Sequence, residues 1–171
     1  MINLRNYDLV DKIIKREDVD INNIKTNPIL YAFNTGDRNI INLFLLHPKF
    51  DYHKVYTFGN LLHATVSKKT YNDITKYLIY ERKLNINVAD DYGYLPIHET
   101  IKFDNEEIFN ILLQQHTETK TLNQSIIDKI NEYIETELEE DDEDDAEEIQ
   151  KINTKYIPVI QALLPTVSSS L

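Results

Sequence analysis

The chain has no cysteine and no tryptophan, and only three glycines and five prolines among 171 residues. Without cysteine there is no disulfide framework, no thiol nucleophile and no Cys-bearing zinc site. The glycines (Gly36, Gly59 and Gly93) stand alone at turn-like positions, so no Gly-rich phosphate loop can be built from them. No apolar run approaches the roughly 18 residues of a membrane span. The opening stretch MINLRNYDLVDKIIKRED lacks the apolar core and small-residue cleavage site of a signal peptide, and a cytoplasmic location is expected. Neither G-x-S-x-G nor H-E-x-x-H occurs. Basic residues are dispersed, which argues against nucleic acid. An enzyme is not expected, and no cofactor or metal is implied.

What the chain does hold is apolar mass. Ile, Leu, Val and Phe supply 54 residues, about a third of the total, enough for a sizeable core. The formal charge of −11 is concentrated in one place. Residues 137–148, ELEEDDEDDAEE, carry ten acidic side chains and no basic one, so the rest is nearly neutral.

Three segments resemble one another: Asn27-Pro28-Ile29-Leu30-Tyr31-Ala32, Asn60-Leu61-Leu62-His63-Ala64-Thr65 and Leu95-Pro96-Ile97-His98-Glu99-Thr100. Behind each lies an apolar patch with i, i+3, i+4 spacing: Ile41-Phe44-Leu45, Ile74-Tyr77-Leu78 and Phe109-Leu112-Leu113. Ahead of the third stands Asn87 to Tyr94, rich in turn residues. The pattern predicts helix, tight turn, second helix and extended loop, repeated. Such a unit cannot bury its own apolar face and must stack on its neighbours.

These segments resemble ankyrin repeats, whose signature is a period of about 33 residues with T-P-L-H-x-A opening the first helix. Asp90, Gly93, Pro96, Ile97, His98, Leu112 and Leu113 fall in register, as do Leu62, His63, Ile74 and Leu78 before them. The first unit keeps Pro28, Ile29, Ala32, Gly36, Ile41 and Leu45. The resemblance implies an all-α solenoid: a capping half-repeat over 1–26, the repeat array over 27–121, and capping helices over 122–171. It also implies structural roles for Pro28, His63, Gly93, Pro96 and His98, the histidines as buried hydrogen-bonders. Asn27 and Asn60 are expected to cap their helices, as asparagine does well. Leu95 cannot, although Pro96 suits a first helical position. Leu30 replaces the first unit's histidine, and Lys69 and Asp104 stand where glycine usually ends the first helix. His47, His53 and His116 lie near unit ends without zinc-like spacing.

In the C-terminal quarter, Leu122, Ile126, Ile130, Tyr133, Ile134 and Leu138 line one helical face, and Ile149, Ile152, Tyr156, Ile160 and Leu163 another. Pro158 should start, kink or end the second helix. The tail after Pro165 reads as frayed. The acidic run is expected either as a solvated linker or as an attractor for a basic partner surface; it lacks the EF-hand spacing for tight calcium binding.

The resemblance further implies protein binding through loop tips and the exposed first-helix face. Those positions are Tyr56, Thr57, Asp91, Tyr92 and Tyr94 in the loops and Lys68, Lys102 and Phe103 on the helices, with Asn23, Ile24, Thr26, Asn34, Thr35, Gly59 and Ser67 around them. The aromatics Tyr56, Tyr92, Tyr94 and Phe103 are the expected anchors, since aromatic residues dominate interface energetics. Two roles remain open: a scaffold or adaptor, monomeric alone, or an inhibitor or immunity protein that covers an enzyme. Heavy use of Ile, Asn and Lys suggests an AT-rich genome. An effector delivered into a host cytosol is a variant of the first role.

Overall fold

The computed structural model describes residues 7–138 and 142–164. The tail after Leu164 and the acidic residues 139–141 lie outside them. Helix α1 (Tyr7–Ile14) is followed by a pair, α2 (Pro28–Thr35) and α3 (Arg38–Leu45). A second pair is α4 (Leu61–Val66) and α5 (Asn72–Tyr80), and a third is α6 (Pro96–Lys102) and α7 (Glu106–Glu118). Helix α8 (Gln124–Glu137) precedes α9 (Glu143–Lys151) and α10 (Ile157–Leu163). Among the described residues the only β pairing is an isolated bridge between Tyr56 and Gly59.

Two layers result. The first helices α2, α4, α6 and α8 stand side by side, and α1, α3, α5 and α7 back them. Burial explains the pairing. Ile29, Phe33, Leu61, Leu62, Ile97 and Ile101 face inward from the first layer, and Ile40, Ile41, Leu78, Ile108 and Leu112 from the second. Together they form one continuous core along the stack.

The turns depend on local chemistry. Gly36 ends α2 in the left-handed region (φ 73°), and Gly59 lies before α4 at φ 84°. A Cβ on Gly59 would sit 2.4 Å from the His63 ring, so only glycine fits there. Asp37 caps α3, its carboxylate accepting the Asn39 amide at 2.9 Å. Asn60 caps α4 by accepting the Leu62 amide at 3.0 Å. Asn27 does not cap α2. It adopts a left-handed backbone (φ 41°), makes no capping bond, and buries its Oδ1 without a partner. Pro28 begins that helix instead. Asp104 takes the left-handed position (φ 47°), which an aspartate tolerates better than most residues. Lys69 opens a short 3₁₀ turn, Lys69–Tyr71.

The second C-terminal helix runs through Pro158. Proline offers no amide to the Thr154 carbonyl, and the turn just before it, Ile152–Tyr156, widens so that the Ile157 amide reaches the Ile152 carbonyl. The widened turn aims Tyr156 into the array. Its ring packs edge-on against Phe109 at 4.8 Å between centroids, and its hydroxyl donates to Asp104 at 2.6 Å. The described acidic residues are not a linker. Asp142 caps α9 through the Asp144 amide at 3.0 Å, and Glu143, Asp144 and Asp145 fill its first turn, where the helix dipole favours negative charge.

Candidate protein-binding face

The loop before each first helix is held by the repeat's own chemistry. Asp90 Oδ1 accepts the amides of Tyr92 at 2.9 Å and Tyr94 at 2.8 Å, and Gly93 (φ 83°) closes the turn. The Asp91 amide donates to the Thr57 carbonyl at 3.1 Å, which sets the loops of the second and third pairs side by side. Below each loop a histidine does two jobs. His63 Nδ1 accepts the Asn60 amide at 3.1 Å, and its Nε2 lies 3.0 Å from the Tyr94 carbonyl. His98 Nδ1 accepts the Leu95 amide at 2.8 Å, and its Nε2 lies 3.2 Å from the Ile126 carbonyl. So each ring completes a helix start that its own repeat leaves open and ties that repeat to the next. Burial lowers the pKa of both rings, His98 to about 4. They are neutral near pH 7 and serve as hydrogen-bonding groups rather than charges.

Above this frame runs a groove of two adjoining cavities. The smaller, ≈ 240 Å³, is walled by Leu30, Phe58, Ala64, Tyr71 and Phe103. The larger, ≈ 560 Å³, lies between Tyr92, Tyr94, Lys102 and α8. Asp90 and Glu99 line both. A cavity of ≈ 620 Å³ opens elsewhere, between α1 and α3, away from the expected partner-binding residues.

The expected site residues divide in this setting. Thr57, Lys68, Asp91 and Lys102 are exposed, Tyr92 is 77% exposed and Phe103 43%. Lys68, Phe103, Tyr92 and Lys102 border the groove. Tyr94 is half-buried. The Lys129 ammonium sits 4.5 Å above its ring and Tyr133 meets it edge-on at 6.4 Å, so it is a wall of the groove. Tyr56 is not on the face. It is only 5% exposed, stacks on Phe58 at 4.9 Å, and its hydroxyl is buried without a partner. Its place in the loop matches that of Asp90, which points inward to hold amides; Phe58 matches Tyr92.

Sequence reasoning passed over Phe58, Asp90 and Glu99 as groove residues. The signal for Glu99 was available: it fills the variable position after the histidine, as Ala64 and Tyr31 do, and that position faces away from the core. Burial pushes the Glu99 carboxyl above its ordinary pKa, while Lys102 one turn on pulls it down from beyond ion-pair distance. No described residue gives its carboxylate a hydrogen bond or an ion pair. His116, near a unit end, is fully buried, with Nδ1 2.9 Å from the Thr121 hydroxyl and Nε2 unpartnered. Among the described residues, no three His, Asp or Glu side chains gather as a metal-ion cage.

Stacked helix pairs, projecting loops and an open groove across the first helices define a repeat scaffold of the kind that meets other proteins. The model for ankyrin repeats, in three copies, matches residues 30–124, and the chain belongs to that family. Among curated proteins it is similar to the mitochondrial liver isoform of glutaminase. Identity is 26% with the rat protein and 25% with the mouse protein, each over 121 residues. The matched stretch is 68% of this chain but only 20% of each glutaminase. No solved structure matches the chain significantly. No helix among the described residues is long and apolar enough to cross a membrane.

Proposed function

We propose that the chain is a non-enzymatic binding module that grips another protein through its first-helix groove and the loops above it. The observation that carries this is the groove itself, two cavities joined at Asp90 and Glu99 and bordered by the exposed rings of Tyr92 and Phe103. Thr57, Lys68, Asp91 and Lys102 form the polar rim, and Tyr94 a fixed wall. Exposed rings set among charged residues are the arrangement in which a few aromatics carry most of the affinity. The module is monomeric alone and works inside a cell, whether that of its source or a host's.

The test is capture of partners from source-cell extract on immobilised protein. A Tyr92→Ala, Phe103→Ala double variant should lose the dominant partner, because a central anchor is worth about 2 kcal/mol or more. Leu46→Ala, at a 79% exposed position on the other layer, should keep it. The reverse pattern would move the binding surface to the α1–α3 side. An enzyme recovered in stoichiometric, inactive complex would make the module an inhibitor.

A further inference from the structure

We infer that the groove receives a basic side chain, arginine or lysine, from the partner protein, with its charged head against Glu99 and Asp90 and its stem against Phe58 and Phe103. This inference rests on the reading that the first-helix face binds protein. It starts from an unmet need: a carboxylate drawn partly out of water is costly unless a cation or donors meet it. Glu99 has neither at bonding distance, and its desolvation outweighs the pull of Lys102. Asp90 stands at the same junction, with Oδ1 committed to two loop amides and Oδ2 without a donor among the described residues.

None of the nearby lysines forms an ion pair with Glu99 or Asp90 among the described residues. Lys129 pairs with Glu132 at 2.7 Å and covers Tyr94, and the Lys102 ammonium lies 5.2 Å from the Tyr133 ring centre. The walls suit a cation too. Phe58, Tyr71 and Phe103 present ring surface to a cavity of ≈ 240 Å³, and rings of this kind attract ammonium and, better, planar guanidinium groups. The chain already shows such a placement at the rim, where the Lys68 ammonium lies 5.8 Å from the Tyr71 ring centre. An acidic partner segment would instead bring like charge onto Glu99 and Asp90.

Labelled random short-peptide pools, with the central residue fixed as Arg, Lys, Gln or Glu, test this by anisotropy against the full chain. The Arg and Lys pools should bind about tenfold tighter than the Gln and Glu pools, as expected for a desolvated charge pair. Glu99→Gln should erase that preference, and Phe103→Ala should weaken every pool. Ala64→Arg keeps the test decisive if Glu99→Gln melts early: it places a guanidinium in the same cavity from α4 and should block the Arg pool in a folded protein. Gln or Glu pools that bind as well as Arg, still sensitive to Phe103→Ala, would overturn the basic-residue inference and leave the groove reading standing. A preference that survives Glu99→Gln in a folded protein would have the same meaning. No binding by any pool, or binding indifferent to both variants, would overturn the two together. Concentration-dependent dimers abolished by Glu99→Gln would assign the groove to a second copy and also overturn the inference.

Discussion

The joint between the first two repeats and the joint between the second and third do the same work with different atoms. Each has a lower link, in which the residue opening the second helix reaches back to a carbonyl of the preceding first helix. Tyr71 donates to the Phe33 carbonyl at 2.6 Å, and Asn105 to the Val66 carbonyl at 2.8 Å. The upper link differs. His63 and His98 reach forward from their helix starts to Tyr94 and Ile126, whereas Leu30 has no polar group to offer. There, Asn22 of the preceding loop bonds the Lys49 carbonyl at 2.7 Å and the Asp51 amide at 2.9 Å, and Arg38 pairs with Asp73 at 2.7 Å. A solenoid needs each interface satisfied, not any one residue to satisfy it. The first joint buries its lower link but places its upper ones at the rim. The later joints make their upper links through histidines drawn into the stack.

That contrast predicts acid sensitivity confined to the later joints, the largest effect expected here. His98 and His116 fall to about 4 on burial, against an ordinary value near 6.5. The unfolded chain therefore binds more protons than the folded one between those values. Stability is fully present above pH 6.5 and falls as pH drops toward 4, by on the order of 3 kcal/mol for each histidine. Urea midpoints at pH 7 and pH 5 read this directly, and hydrogen exchange should show α6 to α8 opening before α2 and α3.

Next in size is a separation of the two buried histidines. His98→Leu leaves the Leu95 amide and the Ile126 carbonyl unpaired and should cost about 2–4 kcal/mol. His116→Leu removes a buried nitrogen that has no partner and gives up only the Thr121 contact, so it should be nearly neutral. Equal losses would take His98 out of its bridging role.

Two glycines sharpen the comparison further. Gly59→Ala forces a Cβ into the His63 ring and should cost roughly 3 kcal/mol, strain and clash together. Gly36→Ala has the same backbone penalty, but its nearest neighbour is the Tyr71 hydroxyl at 3.9 Å, so about 1 kcal/mol is expected. Tyr71→Phe should be as mild as Gly36→Ala. Losing one buried bond to Phe33 should lower stability by about 1 kcal/mol and act on the first joint alone.

The period, the helix pairs and the histidine positions were legible in the sequence because they recur in register. What was not legible lay where register and residue type disagree. Asn27 has the right chemistry for a cap but adopts a left-handed backbone, which no composition rule signals. Tyr56 looked like an anchor because it is aromatic in a loop, yet its register is that of Asp90, an inward position. His116 escaped because its burial comes from the chain doubling back after α7, where the Thr121 and Leu122 amides both reach the His116 carbonyl. Charge alone left the acidic block open between a solvated linker and an attractor for a basic partner, while the cap and dipole of α9 put its described residues to use. On the face, Tyr92 and Phe103 were readable as exposed rings. Glu99 becomes visible only when the cavity around it is seen.

His98 of α6 belongs to the frame, while Phe103 at that helix's C-terminal cap borders the groove, so the two should fail separately. The direct measurement is the denaturation midpoint of Phe103→Ala together with its partner retention at equal fraction folded, beside His98→Leu. Phe103→Ala should stay within about 0.5 kcal/mol of the parent and lose the partner, while His98→Leu should lose stability and, where folded, keep it. A Phe103→Ala protein that unfolds early yet still holds its partner would contradict the account.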